Sequence, residues 1–177
     1  MIQVGDIGVL RALEPSDLDW LYTIENDASL WHLGISKEPW SKAVLASYID
    51  AQPGNLLRDG QLRLVFEVDG ASVGAVDIYD YDAIARKGGL GIVLSPEARG
   101  KGLAKSALEA FQQYLFGTLG MKMLYAVVPQ SNPASQALFE SLQFEQSGLL
   151  KHWIIKDGQF EDAHLYQLIH YFHVFVP

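Results

Sequence analysis

The segment LSPEARGKGLAKSALEAF, residues 94–111, joins the end of an apolar strand to the start of an amphipathic helix. Helices commonly begin with Ser, Thr, Asp or Asn as the capping residue, yet Arg99-Gly100-Lys101-Gly102 precedes this one. Glycine costs a helix about 1 kcal/mol relative to alanine. Two glycines around a lysine at a helix start therefore indicate that a ligand uses this backbone.

The chemistry of this junction favours a ligand that carries phosphate. A helix N-terminus presents unpaired N–H groups and the positive end of the helix dipole, and both attract anions. Gly100 and Gly102 lack the Cβ atoms that would hold a phosphate away, while Arg99 and Lys101 add positive charge and Ala104 is small. The spacing is neither that of a P-loop nor that of a dinucleotide fingerprint. We interpret the segment as a pyrophosphate cradle; the alternative is a flexible loop with two glycines.

Composition limits the class of protein. The 177 residues are 49% hydrophobic and 19% charged, which predicts one globular domain spanning residues 1–177. No cysteine is present and the five histidines form no ligand pattern, so no metal is expected. The net charge of -8 argues against a nucleic-acid partner but suits a cationic ligand. Without a signal sequence or a long apolar run, a cytoplasmic protein with no membrane partner is expected.

The hydrophobic pattern predicts an α+β fold built on one mostly antiparallel sheet. Asp69-Gly70 is typical of the type I′ turn of a β-hairpin. Helices are predicted at 16–26, with Ser16 as cap, and at 41–52, 103–117 and 132–142, and 27–40 is predicted as an irregular loop. Seven strands are predicted, at 7–13, 62–68, 72–79, 88–94, 123–128, 149–156 and 163–169.

Three motifs in order resemble the GNAT superfamily of N-acetyltransferases. Arg99-x-x-Gly102-x-Ala104 resembles the family's pyrophosphate motif, (Gln/Arg)-x-x-Gly-x-(Gly/Ala). NPASQALFESLQF, residues 132–144, resembles the family helix Asn-x-x-(Ala/Ser)-x-x-Leu-Tyr-x-x-x-Gly-Phe. GLLKHWIIKDGQFEDAHLYQLI, residues 148–169, resembles the closing hairpin of the branch that contains spermidine and ribosomal-protein N-terminal acetyltransferases.

The resemblance implies a single GNAT-like domain with helices on both faces of a sheet of about seven strands. It also implies a bulge in the fourth strand, which splays that strand from the fifth. The co-substrate would be acetyl-CoA. Its pyrophosphate would bind the backbone of Arg99, Gly100, Lys101, Gly102, Leu103 and Ala104, and its pantetheine arm would pair with Ile92, Val93 and Leu94. A backbone N–H near Val93 or Leu94 would polarise the thioester carbonyl.

The helix at 132–142 departs from the family at the position of its usual catalytic tyrosine. The resemblance places Phe139 there, which has no proton to give, and Gln143 replaces the usual glycine. Ser135 lies one turn earlier on the same side, so it is a candidate proton donor or a simple partner of the first helical turn. Asn132 matches the family's pantetheine residue, and followed by Pro133 it is also a good helix cap.

The acceptor side is predicted at the end of the third strand, in VDIYDYDA. An amine must lose a proton before it attacks a thioester, and a carboxylate can accept that proton directly or through water. Asp77 and Asp80 are therefore candidate bases, and together with Asp82 they form either a cation-binding cluster or a solvated turn. The aromatic tail HYFHVFVP, residues 170–177, is a candidate packing or subunit contact, so a homodimer is possible.

The resemblance thus implies an acetyl-CoA-dependent N-acetyltransferase that acts on a primary amine of a small molecule, either polyamine-like or an amino sugar. One alternative acceptor is a protein N-terminus, such as that of a ribosomal protein. Another alternative is a non-catalytic CoA-binding regulatory module, which the phenylalanine at position 139 makes conceivable.

Overall fold

The computed structural model describes residues 1–31, 38–51 and 56–171. Within these ranges, each helix is too short or too polar for a membrane span. Short 3-10 turns at Pro15–Asp17 and Pro96–Ala98 lie before α1 and α4 respectively. In chain order the elements are β1 (Ile2–Val4), β2 (Gly8–Arg11), α1 (Leu18–Glu25), α2 (Lys42–Asp50), α3 (Leu56–Asp59), β3 (Leu62–Val68), β4 (Ala71–Asp82), β5 (Lys87–Leu94), α4 (Leu103–Gly117), β6 (Met123–Pro129), α5 (Pro133–Ser141), β7 (Glu145–Lys156) and β8 (Gln159–Ile169).

The strands form one sheet in the order β1-β2-β3-β4-β5-β6-β8-β7. Of its neighbouring pairs only β5 and β6 run parallel. This confirms the predicted mixed, mostly antiparallel sheet and adds an eighth strand at its edge. The added strand β1 is too short to show an alternating pattern, and a turn in which Ile7 N–H donates to the Val4 carbonyl folds it onto β2.

Helices cover both faces of the sheet, as predicted. On one face α4 buries Leu108, Phe111 and Leu115 completely against side chains such as Phe66 of β3. On the other face lie α1 and α2, which share a smaller cluster of Leu21, Leu45 and Ile49. Successive side chains of a strand point to opposite faces; since Leu64, Phe66, Val76 and Ile78 pack with α4, their odd-numbered neighbours Arg63, Val65, Ala75 and Asp77 face α1 and α2.

The start of the first helix differs from the prediction. Ser16 does not cap it; the backbone N–H of Glu14 instead donates to Asp17 Oδ2 at 2.8 Å, and a 3-10 turn leads into α1. Asp17 is only 2% exposed and also binds Arg11 and Ser72. The local sequence pattern could not show that the neighbouring strands bury this carboxylate. The predicted cap, Ser16, was therefore wrong, and Glu14 occupies the cap position of the 3-10 turn.

The second helix begins where predicted, because Ser41 Oγ accepts the N–H of Val44 at 3.2 Å. Leu45 and Ile49 are buried on its inner face, and Val44 is 47% exposed. Residue 52, the predicted end, lies outside the described residues.

Strands β5 and β6 pair only over their first three residues, from Lys87↔Met123 to Gly89↔Tyr125. Beyond that point β5 remains paired with β4 as far as Leu94↔Gly74, and β6 remains paired with β8. The two strands therefore separate, which confirms the predicted splay. We call the space between residues 90–94 and residues 126–129 the β5–β6 gap.

The predicted bulge lies on a different strand. The register between β4 and β5 is uninterrupted from Gly89 to Leu94, so the bulge expected in β5 is not found there. The shift falls between Tyr79 and Asp82 of β4, where Asp80 has a φ of +50°. A bulge places two residues opposite one and re-aims their side chains, so this one turns Asp80 away from its regular position.

Candidate active site

The junction between β5 and α4 has the backbone of an anion cradle. Gly100 and Gly102 have φ values of +73° and +77°, a region that glycine enters without the penalty of a Cβ. Among the described residues, nothing lies within 4 Å of a Cβ built at either glycine. No side chain caps α4, so the N–H groups of its first turn, including those of Leu103 and Ala104, remain available to an anion. The cradle therefore fits the pyrophosphate that the sequence predicts.

Two side-chain contacts hold this cradle against the sheet. Arg99 Nε donates to the Leu94 carbonyl at 3.0 Å, which ties the loop to the last residue of β5. Trp20 Nε1 of α1 donates to Ser95 Oγ at 3.1 Å from the other side of the turn. Arg99 thus shapes the loop as well as adding charge, while Lys101 is exposed between the two glycines.

Strand β5 presents a free backbone edge to the gap. Ser95 N–H donates to the Val73 carbonyl of β4, and backbone directions alternate along a strand. The N–H and C=O groups of Ile92 and the N–H of Leu94 therefore point into the gap, the Leu94 C=O on the same edge accepts Arg99 Nε, and the groups of Val93 point to β4. Of the two predicted polarising donors, Leu94 is the one with its N–H on this edge. An extended pantetheine arm fits here as a further strand would.

Helix α5 brings Asn132 and Ser135 together and buries Phe139. Asn132 Oδ1 accepts the Ser135 N–H at 3.1 Å, so the capping role expected of Asn132 is present. Phe139 is 5% exposed and packs edge-to-face on Phe144, with ring centroids 5.1 Å apart. The position of the family's tyrosine is thus a core position in this chain. The catalytic role of Ser135 remains a prediction.

Asp77 lies in a charged cluster on the face covered by α1 and α2. Arg63 Nε donates to Asp77 Oδ1 at 2.6 Å, and the same guanidinium binds Glu25 at the end of α1. Burial lowers the pKa of Arg63, but the charge and hydrogen bond of Asp77 and the charge of Glu25 outweigh it and raise that pKa overall. The guanidinium holds the Asp77 carboxylate in a fixed position, and its role as a base remains a prediction.

Asp80 lies at the closed end of the gap. The hydroxyl of Tyr125 donates to Asp80 Oδ2 at 3.3 Å, and the Tyr125 ring meets the Tyr79 ring edge-to-face at 6.0 Å. Burial, with the charge and hydrogen bond of Asp80, raises the pKa of Tyr125 to about 12. A pocket of about 450 Å³ at this position is lined by Asp80, Asp82, Lys87, Met123, Tyr125, Leu165 and Gln167. Its two carboxylates, which outnumber the one cation Lys87, and the aromatic ring of Tyr125 suit an alkylammonium group.

Sequence reasoning missed Glu25, Arg63, Tyr79 and Tyr125. Each is an ordinary residue of its own helix or strand, and only the strand register brings them to one place. Alternation along β3 could have placed Arg63 on the same face as Asp77, but not opposite it. Among the described residues there is no group of three or more His, Asp or Glu side chains arranged to hold a metal ion.

Comparisons with known proteins agree with this geometry. The model of the family described as "Acetyltransferase (GNAT) domain" matches residues 9–145. Over 154 residues the chain is 30% identical to spermidine N(1)-acetyltransferase of Escherichia coli (strain K12), covering 87% of this chain and 81% of that protein.

Solved structures share the fold. Spermidine N-acetyltransferase from Vibrio cholerae in complex with CoA and spermine superposes with a TM-score of 0.84 at 23% identity, covering 93% of this chain and 96% of that one. A dodecameric structure of spermidine N-acetyltransferase from Vibrio cholerae has a TM-score of 0.78 at 25% identity, covering 93% and 95%. With the matched family model, the cradle and the open β5 edge, these findings show that the chain belongs to the GNAT family and is an acetyl-CoA-dependent N-acetyltransferase.

Proposed function

We propose that this enzyme transfers the acetyl group of acetyl-CoA to a primary amine of a polyamine. The observation that carries the proposal is the acidic and aromatic face beside the β5–β6 gap, which includes Asp80, Asp82 and Tyr125. Free alkylamines have pKa values near ~10.4, so a polyamine is a chain of cations at neutral pH. The likeness to spermidine N(1)-acetyltransferase supports the same acceptor class.

The reaction needs little covalent chemistry from the protein. The neutral amine nitrogen forms a bond to the thioester carbonyl carbon, the C–S bond breaks, and the thiolate leaves with the bonding electron pair. The proton lost by nitrogen passes to solvent or to a carboxylate, and the thiolate takes a proton in turn. The chain contributes the cradle, the Leu94 N–H aimed into the gap, and carboxylates that hold the cation nearby.

The acceptor class is tested by following thiol release from acetyl-CoA with polyamines, amino sugars, amino acids and ribosomal-protein N-terminal peptides. We expect the highest kcat/KM with a polyamine. Amino sugars or peptides that react as well as polyamines would contradict the proposal. Tight CoA binding without turnover on any amine would favour a regulatory module.

Local charge is expected to set the affinity for the acceptor. Salt screens exposed charges, so the KM for a polyamine should rise several-fold from low to high ionic strength. The pair Asp80→Asn and Asp82→Asn should raise it further. Both changes are conservative, because asparagine tolerates the positive φ at position 80, and at position 82 its side-chain oxygen can still accept the N–H groups of Ile84 and Ala85.

The matched control removes the same charge from two exposed turns, by Asp6→Asn and Asp69→Asn. It should leave the KM close to that of the parent. An equal effect of both pairs would show that net charge acts through the whole molecule, and a preference for neutral or anionic acceptors would contradict cation binding.

The phenylalanine at position 139 is expected to leave the enzyme active. A CoA thiol has a pKa near the ~8.5 of cysteine, so its thiolate can depart and take a proton from water. Phe139→Tyr should give a modest gain in kcat or none, because the ring is buried against Phe144 and a new hydroxyl there needs a partner.

Ser135→Ala should lower kcat roughly tenfold, which is part of the 10²–10⁴-fold effect typical of general acids. The control is Ser141→Ala, at the exposed end of α5.

Single-turnover and steady-state rates of these variants separate the possibilities. Full rate in Ser135→Ala would remove this hydroxyl from the mechanism. A large gain in Phe139→Tyr would show instead that the parent lacks a needed acid.

The predicted homodimer stays a proposal. Trp153 and Phe160 of the β7–β8 hairpin are 61% and 65% exposed, which supports association between copies. The dodecameric relative points the same way. Most of the aromatic tail, residues 172–177, lies outside the described residues.

A further inference from the structure

Strand β5 carries two glycines on the face that α1 and α2 cover. Gly89 and Gly91 lie opposite Tyr79 and Asp77 of β4. Gly89 is the last residue of β5 that pairs with β6, and Gly91 lies beyond it, where the two strands have separated. At both positions β5 has bare backbone where a strand normally carries a side chain. The two glycines differ in what occupies the space above them.

The space above Gly89 is filled by the protein. A Cβ built there would lie 2.3 Å from the Tyr79 ring, far closer than any real contact. The space above Gly91 is bordered but not filled. Among the described residues, the nearest atoms to its built Cβ are Asp77 Cβ and Tyr79 Cε1, both at 3.7 Å, and Asp77 Oδ2 at 4.0 Å. The structure itself thus does not require a glycine at 91.

The carboxylate beside this space is held in a fixed direction. Asp77 Oδ1 accepts the short hydrogen bond from Arg63 Nε at 2.6 Å, while within the described part of the chain Oδ2 has only the 3.4 Å contact with Nη2. Arg63 is fixed in turn by Glu25. Oδ2 is therefore the oxygen with capacity left for another donor, and it is the oxygen nearest to the space above Gly91. Two carboxylates and one guanidinium leave the cluster with one negative charge, which a substrate ammonium would neutralise.

We propose that Gly91 is a specificity-determining residue whose missing side chain leaves room for the acceptor nitrogen and its first carbon. Asp77 Oδ2 accepts an N–H of that nitrogen as it approaches the β5–β6 gap. This space above Gly91, which we call the slot, accommodates an unbranched primary amine and excludes amines with a substituent on the carbon next to nitrogen. This inference rests on the proposed transfer to an amine and names the shape of amine that the site takes.

The test is Gly91→Ala, with Gly148→Ala as its matched control. A Cβ fits at both positions, since the nearest atom at Gly148 is Leu165 Cβ at 3.8 Å, and neither glycine has a positive φ. Both variants should therefore fold with an unchanged thermal midpoint and bind CoA with the parental affinity. In Gly91→Ala the kcat/KM for a linear diamine should fall about tenfold or more, the usual effect of one added carbon in a close-fitting site. The control should retain full activity.

The shape of the slot is tested by pairing 1,3-diaminopropane with an analogue methylated beside its amino group. Gly91→Ala should increase the preference of the enzyme for the unbranched amine. Unchanged kcat/KM for both amines in a folded Gly91→Ala variant would overturn the proposal. A loss of CoA affinity in Gly91→Ala as large as its loss of kcat/KM would also overturn the proposal, because it would place Gly91 against the cofactor.

Failure of the proposed function has a different signature. Calorimetric titration of 1,3-diaminopropane into the CoA-loaded protein needs no turnover. Binding by the parent that Gly91→Ala weakens would support the slot even if no acetyl transfer were found. Parental binding that Gly91→Ala leaves unchanged would overturn the slot while leaving the N-acetyltransferase assignment intact.

Discussion

Replacing Gly102 by aspartate should weaken CoA binding at least about 100-fold. The substitution puts a carboxylate at the N-cap of α4, where we propose that the cradle N–H groups bind the pyrophosphate. Two like charges 4 Å apart repel by about 4 kcal/mol at an effective dielectric constant of 20, which is more than a hundredfold in affinity. Isothermal titration calorimetry with CoA measures the loss.

Gly102→Asn is the matched control for this experiment. Asparagine has nearly the same shape, tolerates the left-handed backbone at φ +77° about as well as aspartate, and carries no charge. It should cost much less affinity than aspartate. Arg99→Ala should also cost less, because most of the contact comes from the backbone. Unchanged CoA binding by a folded Gly102→Asp variant would remove residues 99–104 from the cofactor site.

Replacing Arg11 by alanine should destabilise the protein by roughly 3 kcal/mol, the lower end of the cost of breaking a buried ion pair. Arg11 binds Asp17 through both terminal nitrogens and also binds Glu67. Asp17 is 2% exposed, so without Arg11 its charge would stay buried and unpaired. Urea unfolding of parent and variant gives the difference in free energy. Lys42→Ala, which breaks the exposed pair with Asp19, is the control and should change stability little.

The cluster of Arg11, Asp17 and Glu67 should make the free energy of unfolding depend on pH in the acid range. Burial alone would raise the pKa of Asp17, but hydrogen bonds from Arg11, Ser72 and the Glu14 N–H lower it overall. A carboxyl whose pKa is lowered by folding stabilises the protein above its unfolded pKa of about 3.9, and this contribution is lost as the pH falls through the folded value. Asp17→Asn should therefore be less stable at neutral pH and lose less stability below pH 4. If the free energy of unfolding of Asp17→Asn fell below pH 4 as steeply as that of the parent, the lowered pKa of Asp17 would be contradicted.

Much of the cofactor half could be predicted from sequence because its signals are local. The paired glycines before α4, the Asp69-Gly70 turn between β3 and β4, and Asn132-Pro133 before α5 each specify a backbone conformation within a few residues. The structure has positive φ at both residues of that turn and at both cradle glycines. Gln143, which stands where the family motif has glycine, adopts a φ of +66°, in the region that favours glycine.

On the proposed acceptor side, the sequence predicted the carboxylates of Asp77 and Asp80 but not their partners, because these residues are far apart in the chain and meet only through strand register. Arg63 and Glu25 are 38 residues apart, and a one-residue slip of β3 on β4 would send Arg63 to the opposite face from Asp77. The sequence by itself determined the α+β pattern, the cradle and the lack of a hydroxyl at Phe139. The tertiary structure alone decided that Asp77 is held by a cation, that Asp80 meets Tyr125, and that the described atoms nearest to a Cβ at Gly91 lie 3.7 Å away. These contacts join residues of different strands and helices, and no local preference of the chain encodes them.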